Sequence, residues 1–161
     1  LVPEVPDGAV SEFERLFLQR AAEVIVERSV MLKGVPQVLR HLQEDGWRLA
    51  IASTKWRARI EGILAKYELS GLFEVIVGGD EVVEYKPDPE VLYEAVRRLG
   101  LAVGDILYVG DSLSDAEAAQ RAPADFVAVL SGTTPAADFA PYEAVAVLDD
   151  LAALPALLHK D

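Results

Sequence analysis

The sequence contains no cysteine, which rules out disulfides, thiolate metal sites and a cysteine nucleophile. Histidine is nearly as scarce. Only His41 and His159 are present, and neither has a sequence neighbour that would complete a ligand set. A His-rich metal centre is not expected, and both histidines read as plain helix or tail residues. Positive charge is also short: Lys and Arg total 15 against 27 Asp and Glu, a net charge of −12. Such a surface repels phosphate polymers, so nucleic acid and anionic membranes are not expected partners. The same charge leaves room for one small phosphate ester in a local pocket. No apolar run approaches a bilayer span, and no basic, apolar leader opens the sequence. The absence of cysteine is compatible with a reducing compartment, and we expect a cytoplasmic protein.

What is present is a globular composition, 52% apolar and 26% charged over 161 residues, enough for one domain with a sizeable core. The segment "SEFE", residues 11–14, has capping-box spacing, with Ser11 as the expected N-cap and Glu14 at the third helical position. Phe13, Leu16, Phe17, Ala21, Val24 and Ile25 then recur at helical spacing. Gly34 and Gly46 bracket a second helix through Val38, Leu39 and Leu42. Short apolar runs follow at "RLAIAS", "FEVIVGG", "ILYVG", "FVAVLSG" and "AVAVLDD". Helical patterns lie between them, one from about 57 to 67 and one opened by Pro89 at its first position, and a last helix closes the chain over 151–158. Strands that are continuous apolar runs, alternating with helices, predict an α/β fold with a doubly wound parallel sheet. In such sheets ligands bind beyond the carboxyl ends of the strands. Ser53, Gly78 and Asp111 all stand at such ends.

Each candidate residue has two readings. Asp111 and Asp115, in "GDSLSD", offer two hard oxygen donors of the kind Mg²⁺ prefers; alternatively, Asp111 or Ser112 simply caps a helix. Ser53 and Thr54 end a strand, where hydroxyls and free amides can cradle a phosphate; an N-cap is the plainer role. Lys86, in "EYKPDP", precedes a proline that holds it extended. Its ammonium would offset a carboxylate-rich edge and hold a phosphate oxygen, or it is a solvated lysine. Lys55 is a weaker candidate for substrate contact, Arg59 reads as a solvated helix face, and Trp47 reads as core or edge packing.

The order of these pieces resembles the haloacid dehalogenase-like hydrolase superfamily, in its phosphoglycolate phosphatase-like branch. "LAIASTK" is similar to the second motif of that family, "KPDPEVLYEA" to the third and "ILYVGDSLSDAEAAQRA" to the fourth. The resemblance implies residues 1–33 as the end of a helical cap and 34–161 as an α/β core carrying motifs two to four. It further implies that Ser53 holds a transferring phosphoryl group with help from the Thr54 amide, and that Lys86 ties the nucleophile to that group. Asp111 would bind Mg²⁺ and Asp115 would support the metal shell. The implied activity is a Mg²⁺-dependent phosphohydrolase working on a small phosphorylated substrate through an aspartyl-phosphate.

The family's first motif, Asp-x-Asp-Gly-Thr, supplies the nucleophile and the acid/base, and it does not stand before Ser53. In "VPDGAVS" the nucleophile position falls on Val5, which cannot attack phosphorus, so Asp7 reads as a loop or cap residue. The resemblance places the missing strand in mid-sheet, between the strands ending at Ser53 and Val109. With Leu1 rather than Met as first residue, an upstream segment is the simplest expectation. The alternatives are a non-catalytic binding or interaction module on the same scaffold, or a phosphosugar mutase of the same superfamily. A dehalogenase fits less well, because it has no need of paired metal carboxylates. The oligomeric state is not legible.

Overall fold

Six α-helices and five strands form among residues 9–159, the part of the chain described by the computed structural model. Helix α1 spans Ala9–Arg28. It already runs at Ala9, so Ser11 lies inside it and is not its cap. The Ser-x-x-Glu spacing fits a helix interior equally well, and nothing at Ala9 or Val10 breaks the helix. Helix α2, Val35–Glu44, starts from Gly34 at φ 85, with proline in its first turn. It is followed by strand β1, Ala50–Ala52, helix α3, Arg57–Lys66, and strand β2, Val75–Val77. Helix α4 is Glu90–Leu99, starting one residue later than expected with Pro89 as its N-cap, and Gly100 at φ 68 is its left-handed C-cap. Strand β3, Leu107–Gly110, leads into helix α5, Leu113–Arg121. Strands β4, Asp125–Val129, and β5, Ala146–Leu148, precede the short helix α6, Leu154–Leu158.

All strand pairing is parallel. β1 pairs with β2, and β3, β4 and β5 pair in that order. Side chains alternate between the faces of a strand, and the core clusters follow that alternation. On β4, Phe126 and Ala128 pack with Ala116 and Ala119 of α5, while Val127 faces Val38 and Leu42 of α2 and Leu154 of α6. On β2, Val75 and Val77 meet Val91, Leu92 and Ala95 of α4, while Ile76 faces Ile60 and Leu64 of α3. Helices α4 and α5 thus cover one face, and α2, α3 and α6 the other. The doubly wound expectation holds. β1 and β3 share these faces: Ala50, Ala52 and Tyr108 turn to the α4 side, Ile51, Leu107 and Val109 to the other.

The pairing nevertheless breaks between β1 and β3, which form no ladder with each other. A cavity of about 860 Å³ occupies the seam, lined by residues of both strands, with Leu39 and Leu92 among its walls and Asp111 at its rim. Ser53 donates its amide to the Val77 carbonyl, and the Leu49 carbonyl accepts from Glu74. Residues 49, 51 and 53 therefore turn their polar backbone toward β2, and Ala50 and Ala52 turn theirs toward the seam.

Helix α1 docks on α3 through its last turn. Lys66 Nζ donates to the carbonyls of Val26, Glu27 and Ser29 at 3.1, 2.8 and 2.7 Å, and the Tyr67 hydroxyl donates to the Ser29 carbonyl at 2.6 Å. Further toward its start, Phe13 and Phe17 stack on each other but stay 67% and 60% exposed. The apolar stripe expected on this helix is there, but this part of it faces outward.

Candidate active site

Asp115 is the buried charged residue around which the strand ends are organised. It stands in the first turn of α5 because Ser112 ends the β3 turn as an N-cap and accepts the Asp115 amide at 3.3 Å. The carboxylate is fully engaged. Oδ1 accepts from Lys86 Nζ at 2.5 Å and from the Tyr108 hydroxyl at 2.8 Å. Oδ2 accepts from the Ser112 hydroxyl at 2.6 Å, the Ser112 amide at 3.1 Å and the Asp111 amide at 3.3 Å. Burial alone would push its pKa up. The Lys86 ammonium and the Lys86, Ser112 and Tyr108 hydrogen bonds outweigh burial and hold it below the usual carboxylate range. Burial, with the Asp115 charge beside it, drives the Tyr108 phenol well above its ordinary value, so Tyr108 stays a neutral donor.

Lys86 is therefore not a solvated surface lysine. It precedes a cis peptide bond to Pro87, and its ammonium reaches the Tyr108 hydroxyl at 3.0 Å as well as Asp115. Tyr108 in turn lies 3.5 Å from the Ala52 carbonyl, one residue before Ser53. It crosses from β3 to the end of β1 over the seam. Ser53 Oγ accepts from the Lys55 amide at 3.1 Å, closing a small turn at the strand end. Thr54 is exposed there. Its carbonyl packs so close to Gly79 that a Cβ on Gly79 would lie 2.5 Å from it. Asp111 is exposed at the β3 end, and a Cβ on Gly132 would lie 2.6 Å from its Oδ2. Among the described residues no side chain donates a hydrogen bond to the Asp111 carboxylate.

The geometry thus joins Lys86, Asp115 and the Asp111 backbone directly, and brings β1 to them through Tyr108. Ser53 and Thr54 sit at the neighbouring strand end without touching that group. Tyr108 is absent from the sequence reading, where an apolar run hid it; a tyrosine inside a buried strand is itself a signal, because its hydroxyl needs a partner. Gly110 and Gly132 were missed too, since only the fold brings Asp115 and Asp111 against them. A Cβ on Gly110 would overlap the Asp115 side chain. Gly110→Ala should therefore lower stability by about 2 kcal/mol, read as a shift in the denaturant midpoint; an unchanged midpoint would show that the contact yields freely. Of the basic residues after Ser53, Arg57 is spent on structure: it donates to Glu61, Glu81 and the Ile76 carbonyl. Arg59 stacks over Trp56, 5.1 Å from the ring centroid, and is half-buried, contrary to the solvated reading. Trp47 is 44% exposed and is among the residues lining the seam cavity.

The sequence profile of the haloacid dehalogenase-like hydrolases matches residues 8–129. The chain belongs to this family. Among its relatives, a phosphoglycolate phosphatase from Cereibacter sphaeroides is 35% identical over 130 residues, which cover 80% of this chain and 59% of that protein. One from Pseudomonas savastanoi pv. phaseolicola is 31% identical over 98% of this chain and 57% of its own length. The crystal structure of a haloacid dehalogenase-like hydrolase from Bacteroides fragilis superposes with a TM-score of 0.82 at 33% identity, covering 93% of this chain and 72% of that one. Phosphoglycolate phosphatases recur among the relatives, and a structure described as a β-phosphoglucomutase from Thermotoga maritima is also similar, with a TM-score of 0.77 at 25% identity over 96% of this chain and 71% of that one. The chain spans less than three fifths of the length of the two curated relatives named above.

Proposed function

We propose that this chain carries the phosphate- and metal-holding part of a phosphohydrolase acting on a small phosphate ester. The observation that bears most weight is the buried Lys86–Asp115 pair set at the strand ends beside Asp111. Ser53 and the Thr54 amide would hold the phosphoryl oxygens at the end of β1. Lys86, held by Asp115, would aim a fixed positive charge at the same group. Asp115, whose two oxygens accept from Lys86, Tyr108, Ser112 and the Asp111 amide, would support the metal shell by positioning Lys86 and the Asp111 turn. Residues 1–33 would be the end of a helical cap.

The donor set suits Mg²⁺. Asp111 is an exposed carboxylate with no protein donor among the described side chains, and Mg²⁺ binds one or two carboxylates and keeps several waters. When bound, the ion would offset the charge of the phosphate facing an anionic nucleophile. In the proposed reaction a carboxylate oxygen attacks phosphorus, the P–O bond to the leaving alcohol breaks, and that alkoxide takes a proton from an acid. Water then cleaves the acyl phosphate to return the carboxylate and free phosphate. The seam between β1 and β3 fits a further parallel strand bringing that carboxylate to the same edge. Its support is the polar backbone of Ala50 and Ala52 turned into an apolar-walled slot.

Calorimetry tests the metal assignment. Asp111→Asn should weaken Mg²⁺ binding at least tenfold, whereas Asp115→Asn should act chiefly on stability. Equal Mg²⁺ affinity in wild type and Asp111→Asn would reject the role given to Asp111.

A further inference from the structure

The two histidines of the sequence meet in the fold. His41 lies in the last turn of α2, and Asp45 is the C-cap of the same helix, four residues on. His159 is the C-cap of α6. Packing of α2 against α6 through Val38, Leu42 and Leu154 brings the ends together. Asp45 Oδ2 is 3.5 Å from His41 Nε2 and 3.1 Å from His159 Nε2. One ligand atom from each of the three residues lies within 4.8 Å of the others.

We propose that His41, Asp45 and His159 form a binding site for a divalent transition metal, with Zn²⁺ as its representative. Two imidazole nitrogens and one carboxylate oxygen are a borderline-soft donor set, suited to zinc and its neighbours and poorly suited to Mg²⁺. The spacing agrees. Bonds of about 2.0–2.1 Å in a tetrahedron put ligand atoms roughly 3.3 Å apart, between the two distances measured here. All three residues are exposed, so the fourth position is open to water. The C-terminal end of α2 adds the negative end of its helix dipole, which favours a cation.

The site is separate from the phosphate-holding edge. Helix α2 leads into the start of β1, and α6 returns from the end of β5. Their C-terminal ends therefore lie at the amino ends of the strands, across the sheet from Asp111. A metal there would clamp α6 onto α2, and because it binds only the folded arrangement it would raise stability.

The test uses the full chain carrying Asp111→Asn, which removes competition from the other carboxylate edge, and Zn²⁺ as the probe. Chelator competition should give one Zn²⁺ per chain, weakened at least tenfold by His41→Gln and by His159→Gln. Both substitutions are at exposed positions, so the fold is retained, as circular dichroism can verify. With only two histidines to follow, the ring proton NMR signals of both should move together and saturate at one equivalent. The melting midpoint should rise by about 5–10 °C at a hundredfold excess over Kd. Uptake indifferent to both His→Gln changes would overturn the proposal, as would saturation that leaves either ring signal in place. No uptake below millimolar Zn²⁺ would overturn it as well, leaving the three groups as hydrogen-bond partners only.

Discussion

Purified Leu1–Asp161 should release phosphate from an aryl phosphate ester no faster than background, with Mg²⁺ present. Supplying a segment with a short apolar strand ending in Asp-x-Asp-Gly-Thr should raise the rate by at least about 10²–10⁴-fold, the span typical of acid–base help alone. The two carboxylates at the end of β3 already have roles in the proposed site. Asp115 accepts five hydrogen bonds from Lys86, Tyr108, Ser112 and the Asp111 amide, and Asp111 is assigned to the metal. Val5 and Asp7 lie outside the described residues, and Val5 has no nucleophilic atom. Water could attack unaided, but it would be neither positioned nor deprotonated. Robust Mg²⁺-dependent release by Leu1–Asp161, abolished by Lys86→Ala, would show that the acceptor of the phosphoryl group already lies in this chain. If the added segment restores turnover, acid quench should trap a phosphorylated carboxylate on it.

The second large effect is on stability. The Lys86 and Asp115 side chains are 11% and 7% exposed. Removing one partner of a buried ion pair typically costs about 3–5 kcal/mol, because the other charge is left without compensation. Lys86→Ala should therefore shift the chemical denaturation midpoint far more than an alanine at exposed Arg97. The change also has a pH signature. Asp115 titrates lower in the folded chain than a free carboxylate, so it contributes stability above the unfolded pKa of about 3.9. That contribution fades as pH falls through the folded-state value. Without Lys86 the largest force holding the carboxyl down is gone, and the loss of stability on acidification should shrink. A wild-type slope in Lys86→Ala, or a loss under about 1 kcal/mol, would mean that the pair is not held as tightly as its burial implies.

The sequence reading succeeded where the signal was local and repeated. Apolar runs closed by Ser53, Gly78 and Asp111 marked strand ends, because a parallel strand buried on both faces needs continuous apolar residues and a polar turn to leave the sheet. Gly34 and Gly46 mark the limits of α2 for an equally local reason, since at φ 85° and 87° both adopt the left-handed backbone that favours glycine. It failed where a local pattern has two meanings. Ser-x-x-Glu reads as a cap at residue 11 and is helix interior, since Ala9 and Val10 already run in the helix. It was silent where the partner is far along the chain. His41 and His159 share one carboxylate only because α2 and α6 pack on the same face of β4. Tyr108 reads as one more apolar strand residue, and only the fold sets its hydroxyl between Lys86, Asp115 and the Ala52 carbonyl. Strand order is equally hidden from periodicity, so the break between β1 and β3 followed from family resemblance and not from the apolar pattern.

One carboxylate holding a lysine, a tyrosine, a serine cap and a backbone turn changes how much freedom the site has to lose. A lone lysine on a loop carries large rotamer entropy, all of which a phosphate would have to quench on binding. Here that entropy is already spent in folding: the Lys86 ammonium, the Tyr108 hydroxyl and the turn bearing Asp111 share a single anchor, Asp115. A ligand arriving at this edge meets charges held in place beforehand, and little of its binding energy is consumed in ordering them. The Asp111 carboxylate is exposed and accepts no side-chain hydrogen bond among the described residues, which leaves it free to adjust to the metal proposed for it.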